Sequence, residues 1–343
     1  GEIMMSTLWR ILKRIIIVIL CLIMIPWIYY FLFAYKDLIL SSWSKQKLKG
    51  KIVYSVLTGS DFNIRIIDFS SRKNKNVYTS IPRGQEGYCY VNSLSFSREG
   101  EKIVFSRMGE KIENYRFKLY TMNSDGTNVK ELLDLDNMNA EYPSWSLDGE
   151  RVSFIVQKPY GKGGLFVTNV DKPYSSLKMI SDIRPAIYNP TWSPDGQKIS
   201  FISDERISKR ISEKWRVEKF VGKTYIINSD GTGLKYFNAR EPVIWAPDGN
   251  LLLYRGEDGY YISDENQLKS ILLIPYKRAP LSLLVEDPSL VVWSPDGKYI
   301  AYVKEIWPGG AGLGIYVVSL DNPGKEIQIS TEWYGVNGMV WVK

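Results

Sequence analysis

Apolar and polar positions alternate with period two along much of the chain after residue 50, and clusters of turn-forming residues interrupt the alternation at regular intervals. Period two is the pattern of a half-buried β-strand, so the chain predicts strands joined by tight turns. Five strand–turn–strand units are near-copies of one another. They read Leu94-Ser-Phe-Ser-Arg-Glu-Gly-Glu-Lys-Ile-Val-Phe, Pro143-Ser-Trp-Ser-Leu-Asp-Gly-Glu-Arg-Val-Ser-Phe, Pro190-Thr-Trp-Ser-Pro-Asp-Gly-Gln-Lys-Ile-Ser-Phe, Val243-Ile-Trp-Ala-Pro-Asp-Gly-Asn-Leu-Leu-Leu-Tyr and Val291-Val-Trp-Ser-Pro-Asp-Gly-Lys-Tyr-Ile-Ala-Tyr. A sixth fragment, Gly338-Met-Val-Trp-Val-Lys, closes the sequence. The aromatic anchors Phe96, Trp145, Trp192, Trp245, Trp293 and Trp341 are spaced by 49, 47, 53, 48 and 48 residues. A strand-built repeat of that length is the mark of a propeller blade.

The residues of the turn are explained by backbone geometry. In Ser294-Pro295-Asp296-Gly297 the proline presets φ for a type I turn, the aspartate can hydrogen-bond its own backbone, and the glycine takes positive φ without a Cβ clash. A second strand pair follows most hairpins, as in Lys118 to Leu133 and Thr224 to Phe237, with similar segments at Leu165 to Ile180, Tyr260 to Ile274 and Ile315 to Ile329. Four strands per repeat make one blade. The first repeat is incomplete: Lys51-Ile-Val-Tyr-Ser matches a second strand, and the missing first strand stands at the far end, in Asn337 to Lys343. The expected fold is therefore all-β, a six-bladed β-propeller over residues 51–343 closed by its C-terminal strand, which removes exposed sheet edges at the seam.

Trp293 to Tyr302 matches residue for residue the Trp-Ser-Pro-Asp-Gly-Lys-x-Ile-Ala-Tyr string of TolB-type, WD-repeat-like β-propellers, and Trp192 to Phe201 nearly does. The chain resembles that family over roughly residues 51 to 343. The resemblance implies a propeller, and it spans several roles: periplasmic partner-binding discs, lids on peptidases and sugar-degrading enzymes. TolB itself carries an α/β domain ahead of its propeller, and residues 36–50 are too few for one.

Ile15 to Tyr35 holds 21 residues without a charge, about the 20 that cross a hydrocarbon core. Arg10, Lys13 and Arg14 precede it, as in a signal peptide or signal anchor. Ala34 is a poor cleavage site, so residues 1–35 are expected to form an uncleaved transmembrane helix, with residues 36–50 as linker. The basic residues nearest the span lie on its N-terminal side, although Lys36, Lys45, Lys47 and Lys49 follow it. The expected arrangement is a single-pass anchor in the cell membrane with the propeller on the extracytoplasmic side.

Formal net charge is +7, and residues 1–35 carry three basic and one acidic side chain, leaving +5 for the rest. That is mildly basic and well short of a nucleic-acid stripe, so no nucleic-acid partner is expected. Cys21 and Cys89 are the only cysteines, too few for a disulfide framework.

Histidine is absent, which removes Ser-His-Asp and Cys-His nucleophiles and His-ligated metal sites. There is no Gly-x-Ser-x-Gly elbow and no P-loop. Asp125-Gly126 and Asp230-Gly231 lack the successive oxygen ligands of a calcium loop and read as hairpin turns. No cofactor and no metal are expected.

Carboxylates remain. The Asp-Gly turns should lie on one face and the longer connections on the other, where variable loops on a rigid scaffold gather binding residues. Just before the inner strands that second face would present Asn92, Glu141, Tyr188, Glu241, Asp287 and Asn337 at the channel mouth, as candidate ligand-binding residues. The longest insertion, Asp204 to Gly222, places Ile207, Ile211 and Trp215 at i, i+4 and i+8 and so predicts a short amphipathic helix. Its Arg206, Lys209, Arg210 and Lys214 are candidate contacts to a partner or to anionic head groups. The leading function is a non-catalytic scaffold that binds a protein or polysaccharide partner. The alternatives are a glycoside hydrolase using two carboxylates among Glu141, Glu241 and Asp287, and a sensor subunit signalling through the single helix.

Overall fold

In the computed structural model the described residues are 48–58, 61–71, 73–77, 91–108, 116–136, 138–157, 163–182, 190–210, 216–239, 241, 243–256, 258–267, 269–275, 290–305, 313–332 and 335–343. They form six antiparallel four-stranded sheets, one per sequence repeat. Blade 1 contains β1 (Lys51–Thr58), β2 (Asp61–Asp68) and β3 (Lys73–Val77). Blade 2 is β4 (Val91–Phe96), β5 (Lys102–Met108), β6 (Phe117–Asn123) and β7 (Lys130–Leu133). Blade 3 is β8 (Asn139–Trp145), β9 (Arg151–Gln157), β10 (Gly164–Asn169) and β11 (Lys178–Ser181). Blade 4 is β12 (Thr191–Trp192), β13 (Lys198–Arg210), β14 (Arg216–Asn228) and β15 (Lys235–Phe237). Blade 5 is β16 (Ile244–Trp245), β17 (Leu252–Arg255), β18 (Gly259–Ser263) and β19 (Ile271–Pro275). Blade 6 is β20 (Val291–Trp293), β21 (Tyr299–Glu305), β22 (Leu313–Ser319) and β23 (Asn322–Glu332), and β24 (Val336–Val342) follows it.

The ring closes as the incomplete first repeat requires. β24 pairs antiparallel with β1, with Trp341 opposite Ile52 and Val342 opposite Lys51, so the last strand becomes the inner strand of blade 1. Each inner strand touches the next around the ring, and β20 touches β24. Residues 49–343 form one compact unit. The expected transmembrane helix and most of the linker lie outside the described residues.

All five hairpin turns share one backbone solution. The amide of Gly100, Gly149, Gly196, Gly249 or Gly297 donates to the carbonyl three residues earlier, and each glycine has φ between 66° and 77°. That region is strained for a residue with a Cβ, which accounts for the one invariant position among the copies. The serine is explained too. Ser193 Oγ donates to Asp195 Oδ1 at 2.6 Å and accepts from Lys198 N at 2.8 Å, and Ser294 repeats this with Asp296 at 2.7 Å and Tyr299 N at 2.9 Å. Asp125 and Asp230 likewise accept from the amide of the threonine two residues on, at 2.9 and 2.8 Å, so these aspartates serve outer hairpin turns.

The core lies between blades. In blades 2 to 6 an aromatic residue of the second strand sits directly opposite one of the third strand, in the pairs Phe105–Tyr120, Phe154–Phe166, Phe201–Tyr225, Tyr254–Tyr261 and Tyr302–Tyr316. Their ring centroids lie 5.6 to 6.0 Å apart in stacked orientation, a spacing that adds to plain area burial. Between blades, Trp192 Nε1 donates to Ser144 O at 3.1 Å and Trp293 Nε1 to Ile244 O at 3.2 Å. Trp192 and Trp293 thus fasten their inner strands to the preceding ones.

The insertion expected as a helix is corrected by the structure. β13 and β14 run as one continuous ladder, and Asp204 to Arg210 pair with Gly222 to Arg216 as an extension of the blade-4 hairpin. Extending an existing ladder needs no new nucleus, whereas a helix of this length is marginal in water and would have to nucleate at a strand end. Ile211, Lys214 and Trp215 lie outside the described residues.

Candidate functional site

The strand directions place the Asp-Gly turns on one face and the second-to-third-strand connections on the other, since all four sheet neighbours in each blade are antiparallel. Asn92 of β4, Glu141 of β8 and Asn337 of β24 each stand four residues before their anchor, and Glu241 precedes the anchor of β16 by the same interval. The register breaks at this level. Asn92 is the extra residue between paired Val91 and Ser93, and Asn337 that between paired Val336 and Gly338. In β8 the break falls between Glu141 and Ser144. A bulge ends regular pairing, so the ladders of these three inner strands break at the same level. Tyr188 and Asp287 lie outside the described residues.

Tyr142 sits within the β8 bulge at φ 52°, with Pro143 next. A bulky residue in the left-handed region is an outlier. Its amide is held by Ser93 Oγ of the neighbouring blade at 2.9 Å, and Ser93 Oγ in turn lies 2.9 Å from Ser106 Oγ. The strained backbone is therefore fixed by a hydroxyl pair of blade 2.

Two acidic candidates are buried. Glu141 and Glu241 are each 7% exposed. Glu241 pairs with Arg255 of β17, and its backbone carbonyl accepts from Thr224 Oγ1 at 2.9 Å. A third buried carboxylate, absent from the sequence-based candidates, is Glu332 at the end of β23, 1% exposed. It accepts from Tyr54 Oη at 2.5 Å and from Ser330 Oγ at 2.7 Å, and it pairs with Arg65. The signal for it lay in the repeat: Arg65 occupies in blade 1 the position opposite Tyr54 where the other five blades carry the second aromatic. Arg107, 8% exposed on β5, is a further buried charge on this side.

Two tyrosine hydroxyls are held protonated. Burial first, and Glu326 second, push the Tyr302 hydroxyl far above the usual tyrosine range. Burial, followed by Glu131, also raises Tyr120. Both hydroxyls stay protonated at neutral pH. Among the described residues no group of three or more Cys, Asp or Glu side chains is placed to hold a metal ion.

Arg206, Lys209 and Arg210 fall on the part of β13 that runs on toward the loop face, at register positions opposite Phe220, Val217 and Arg216. Lys214 lies outside the described residues.

The opposite face holds a cavity that the sequence did not suggest. A funnel of about 170 Å³ is lined by Trp192, Trp245, Trp293 and Trp341, by the turn prolines Pro194, Pro247 and Pro295, and by Arg98 and Glu99. The anchors of four blades thus meet at the channel end on the turn side.

No protein-family model and no curated protein matches the sequence. Solved structures do match the fold. TolB from Acinetobacter baumannii superposes with a TM-score of 0.60 at 18% identity, over 85% of this chain and 66% of that one. This chain therefore spans just under two thirds of that TolB's length. The fold is a TolB-type six-bladed β-propeller. A putative TolB from Agrobacterium tumefaciens matches at TM-score 0.56 and 13% identity, over 84% and 90% of the two chains. A chain of a nidogen/laminin complex matches this TolB-type propeller at TM-score 0.54 and 12% identity, over 85% and 98%.

Proposed function

We propose that this chain is a non-catalytic binding scaffold, a TolB-type propeller that engages a protein or polysaccharide partner through its loop-rich face. The observation that carries the reading is the Glu241–Arg255 pair. A channel-mouth carboxylate available for acid–base work would stand free to meet a substrate, whereas Glu241 is buried against an arginine of its own blade. The Arg255 guanidinium donates to Glu241 Oε1 and so holds this carboxylate within its own blade. The nidogen/laminin structure whose chain shares the fold is a complex of proteins, which favours a protein as the partner class. Residues 1–35 serve as a single-pass anchor in the cell membrane with the propeller on the extracytoplasmic side, a reading supported by the uncharged run Ile15 to Tyr35 behind Arg10, Lys13 and Arg14.

The test is crosslinking and pull-down from native membranes, with wild type compared against the Glu141→Gln, Glu241→Gln double variant. A specific protein recovered with both forms supports the scaffold and removes the carboxylates from chemistry. Glycan fragments trapped only by the double variant, with no protein partner, would establish the glycoside hydrolase instead. Release of the wild-type chain from membranes by alkaline carbonate would overturn the anchor.

A further inference from the structure

Blade 4 departs from the others in the length of its central hairpin. β13 and β14 each hold 13 residues, whereas the second and third strands of the other blades hold eight or fewer. At about 3.4 Å per residue the difference carries the ribbon at least ~17 Å past those strands, on the loop side. β12 pairs with β13 only at Ile199 and Ser200, and β15 pairs with β14 only from Thr224 to Ile226. From Asp204 to Arg210 and from Arg216 to Gly222 the two strands therefore have only each other among the described residues. A two-stranded ribbon carries a row of backbone donors and acceptors along each outer edge, which is the template for adding a strand from another chain.

The register shows what chemistry this ribbon carries. Residues directly opposite one another, and residues two apart on one strand, share a face of the ladder. Arg206, Ser208 and Arg210 thus fall on one face of β13, with Arg216 opposite Arg210. Ile207 and Lys209 fall on the other face, with Val217 opposite Lys209. Across the five rungs from Arg206 to Arg210 the cations Arg206, Lys209, Arg210, Arg216 and Lys219 stand against the single acid Glu218, an excess of four positive charges. No rung sets a cation opposite an acid, and the Arg210–Arg216 rung sets like against like, which destabilises a ladder. The ribbon therefore forms against its own charge, and an anionic strand laid along it offsets that cost.

We infer that the outer edge of β13 from Asp204 to Arg210 receives an extended acidic segment of the partner protein as a third strand. The inference rests on the scaffold reading above and names the docking element on its loop-rich face. A lipid surface or an anionic polysaccharide would use the charge alone, whereas a peptide strand uses the charge and the backbone edge together. The β14 edge is the poorer template, because Glu218 stands between Arg216 and Phe220 on the arginine face. The segment that fits β13 alternates. Acidic residues fall on the face of Arg206 and Arg210, whose planar guanidinium groups suit carboxylates, and apolar residues fall on the face of Ile207. Backbone bonds supply the affinity of such a mode and the alternation supplies its selectivity.

Fluorescence anisotropy on the full chain in detergent tests the inference, with a labelled peptide of alternating Glu and Val as the probe. Saturable binding is expected, lost when the probe is N-methylated along one of its edges and kept when it is N-methylated along the other. An Arg206→Glu, Arg210→Glu variant with the wild-type melting temperature is expected to bind roughly tenfold more weakly, the effect of two exposed ion pairs lost together. Should that variant fail to fold, replacing residues 205–221 by Asn-Gly, which closes the hairpin in a two-residue turn, is expected to abolish binding. No binding of the probe, or equal binding of an isomer with its Glu and Val in separate blocks, of both N-methylated copies or of hyaluronate at matched charge, would overturn strand addition. Adsorption to phosphatidylglycerol vesicles in place of peptide binding would overturn it in favour of lipid head groups. In the native-membrane pull-down, a protein recovered equally by wild type and the Arg206→Glu, Arg210→Glu variant would overturn this edge while the scaffold reading stands. No protein partner from either would overturn both.

Discussion

Arg65 of blade 1, half-buried, forms an ion pair with the buried Glu332 of blade 6 across the seam where the ring closes, between residues 267 positions apart in the chain. Glu332 also takes hydrogen bonds from Tyr54 and Ser330. Every other blade fills the Arg65 position with an aromatic ring stacked on its second-strand partner. The closing seam alone departs from the repeat, and it carries a charged contact that only correct closure can satisfy. Glu332→Ala is expected to cost about 3 kcal/mol, because Arg65 and Tyr54 lose their shared acceptor. Urea unfolding measures it. The Arg65→Tyr, Glu332→Gln variant, which restores the aromatic pair, is expected to recover much of that loss.

Closure itself rests on β24. Deleting residues 337–343 removes the inner strand of blade 1 and leaves the β1 edge open. The truncated chain is expected to unfold over a broadened, less cooperative transition by calorimetry. A single sharp transition at the wild-type temperature would refute closure as the source of cooperativity.

The anchor tryptophans are predicted to differ although their sequences agree. Trp192 Nε1 has its acceptor in Ser144 O, while Trp245 Nε1 is buried without a hydrogen-bond partner among the described residues. Trp192→Phe therefore loses a bond that Trp245→Phe does not, and is expected to be the more destabilising by about 1 kcal/mol. Denaturant midpoints of the two variants provide the comparison.

The hairpin aspartates set an acid limit. Burial pushes Asp148 and Asp195 up, but the hydroxyls of Ser146 and Ser193, the following amides and nearby cations outweigh it and hold both below the ordinary 3.8. A depressed folded pKa contributes stability that is complete above the unfolded value and is lost as pH falls through the folded one. Stability from these turns should hold down to about pH 4 and fall below it. An Asp148→Asn, Asp195→Asn variant is expected to show a flatter melting temperature over that range.

Charge reversal at Arg206, Lys209 and Arg210 examines the blade-4 hairpin as a contact. Weakened partner recovery or vesicle binding, with an unchanged melting curve, is expected if the strands present these residues to a ligand. Unchanged binding would leave the hairpin as a plain extension of the blade.

Local chemistry made much of this protein legible in advance. The turns of Ser146, Ser193 and Ser294 close within five residues, so their aspartate and glycine could be assigned from the sequence, whereas the bonds of the serine hydroxyl came from the structure. The insertion at Asp204 was misread because Ile207, Ile211 and Trp215 fit a helical period, while the ladder to Val217 and Val221 depends on a register that spacing does not reveal. Glu241 was singled out as a candidate ligand-binding carboxylate, but its partner Arg255 was not foreseen. Their meeting requires the fold of β16 onto β17 and not a motif.

By itself the sequence determined the number of blades, the turn type and the closing role of Asn337 to Lys343, because each follows from repeats and short-range backbone preferences. Only the tertiary structure decided which carboxylates are neutralised, which tryptophans are bonded and where the funnel opens. Those properties depend on residues brought together from different blades, such as Arg65 and Glu332. Contacts of that kind are set by ring closure, which imposes its geometry on side chains that no local pattern relates.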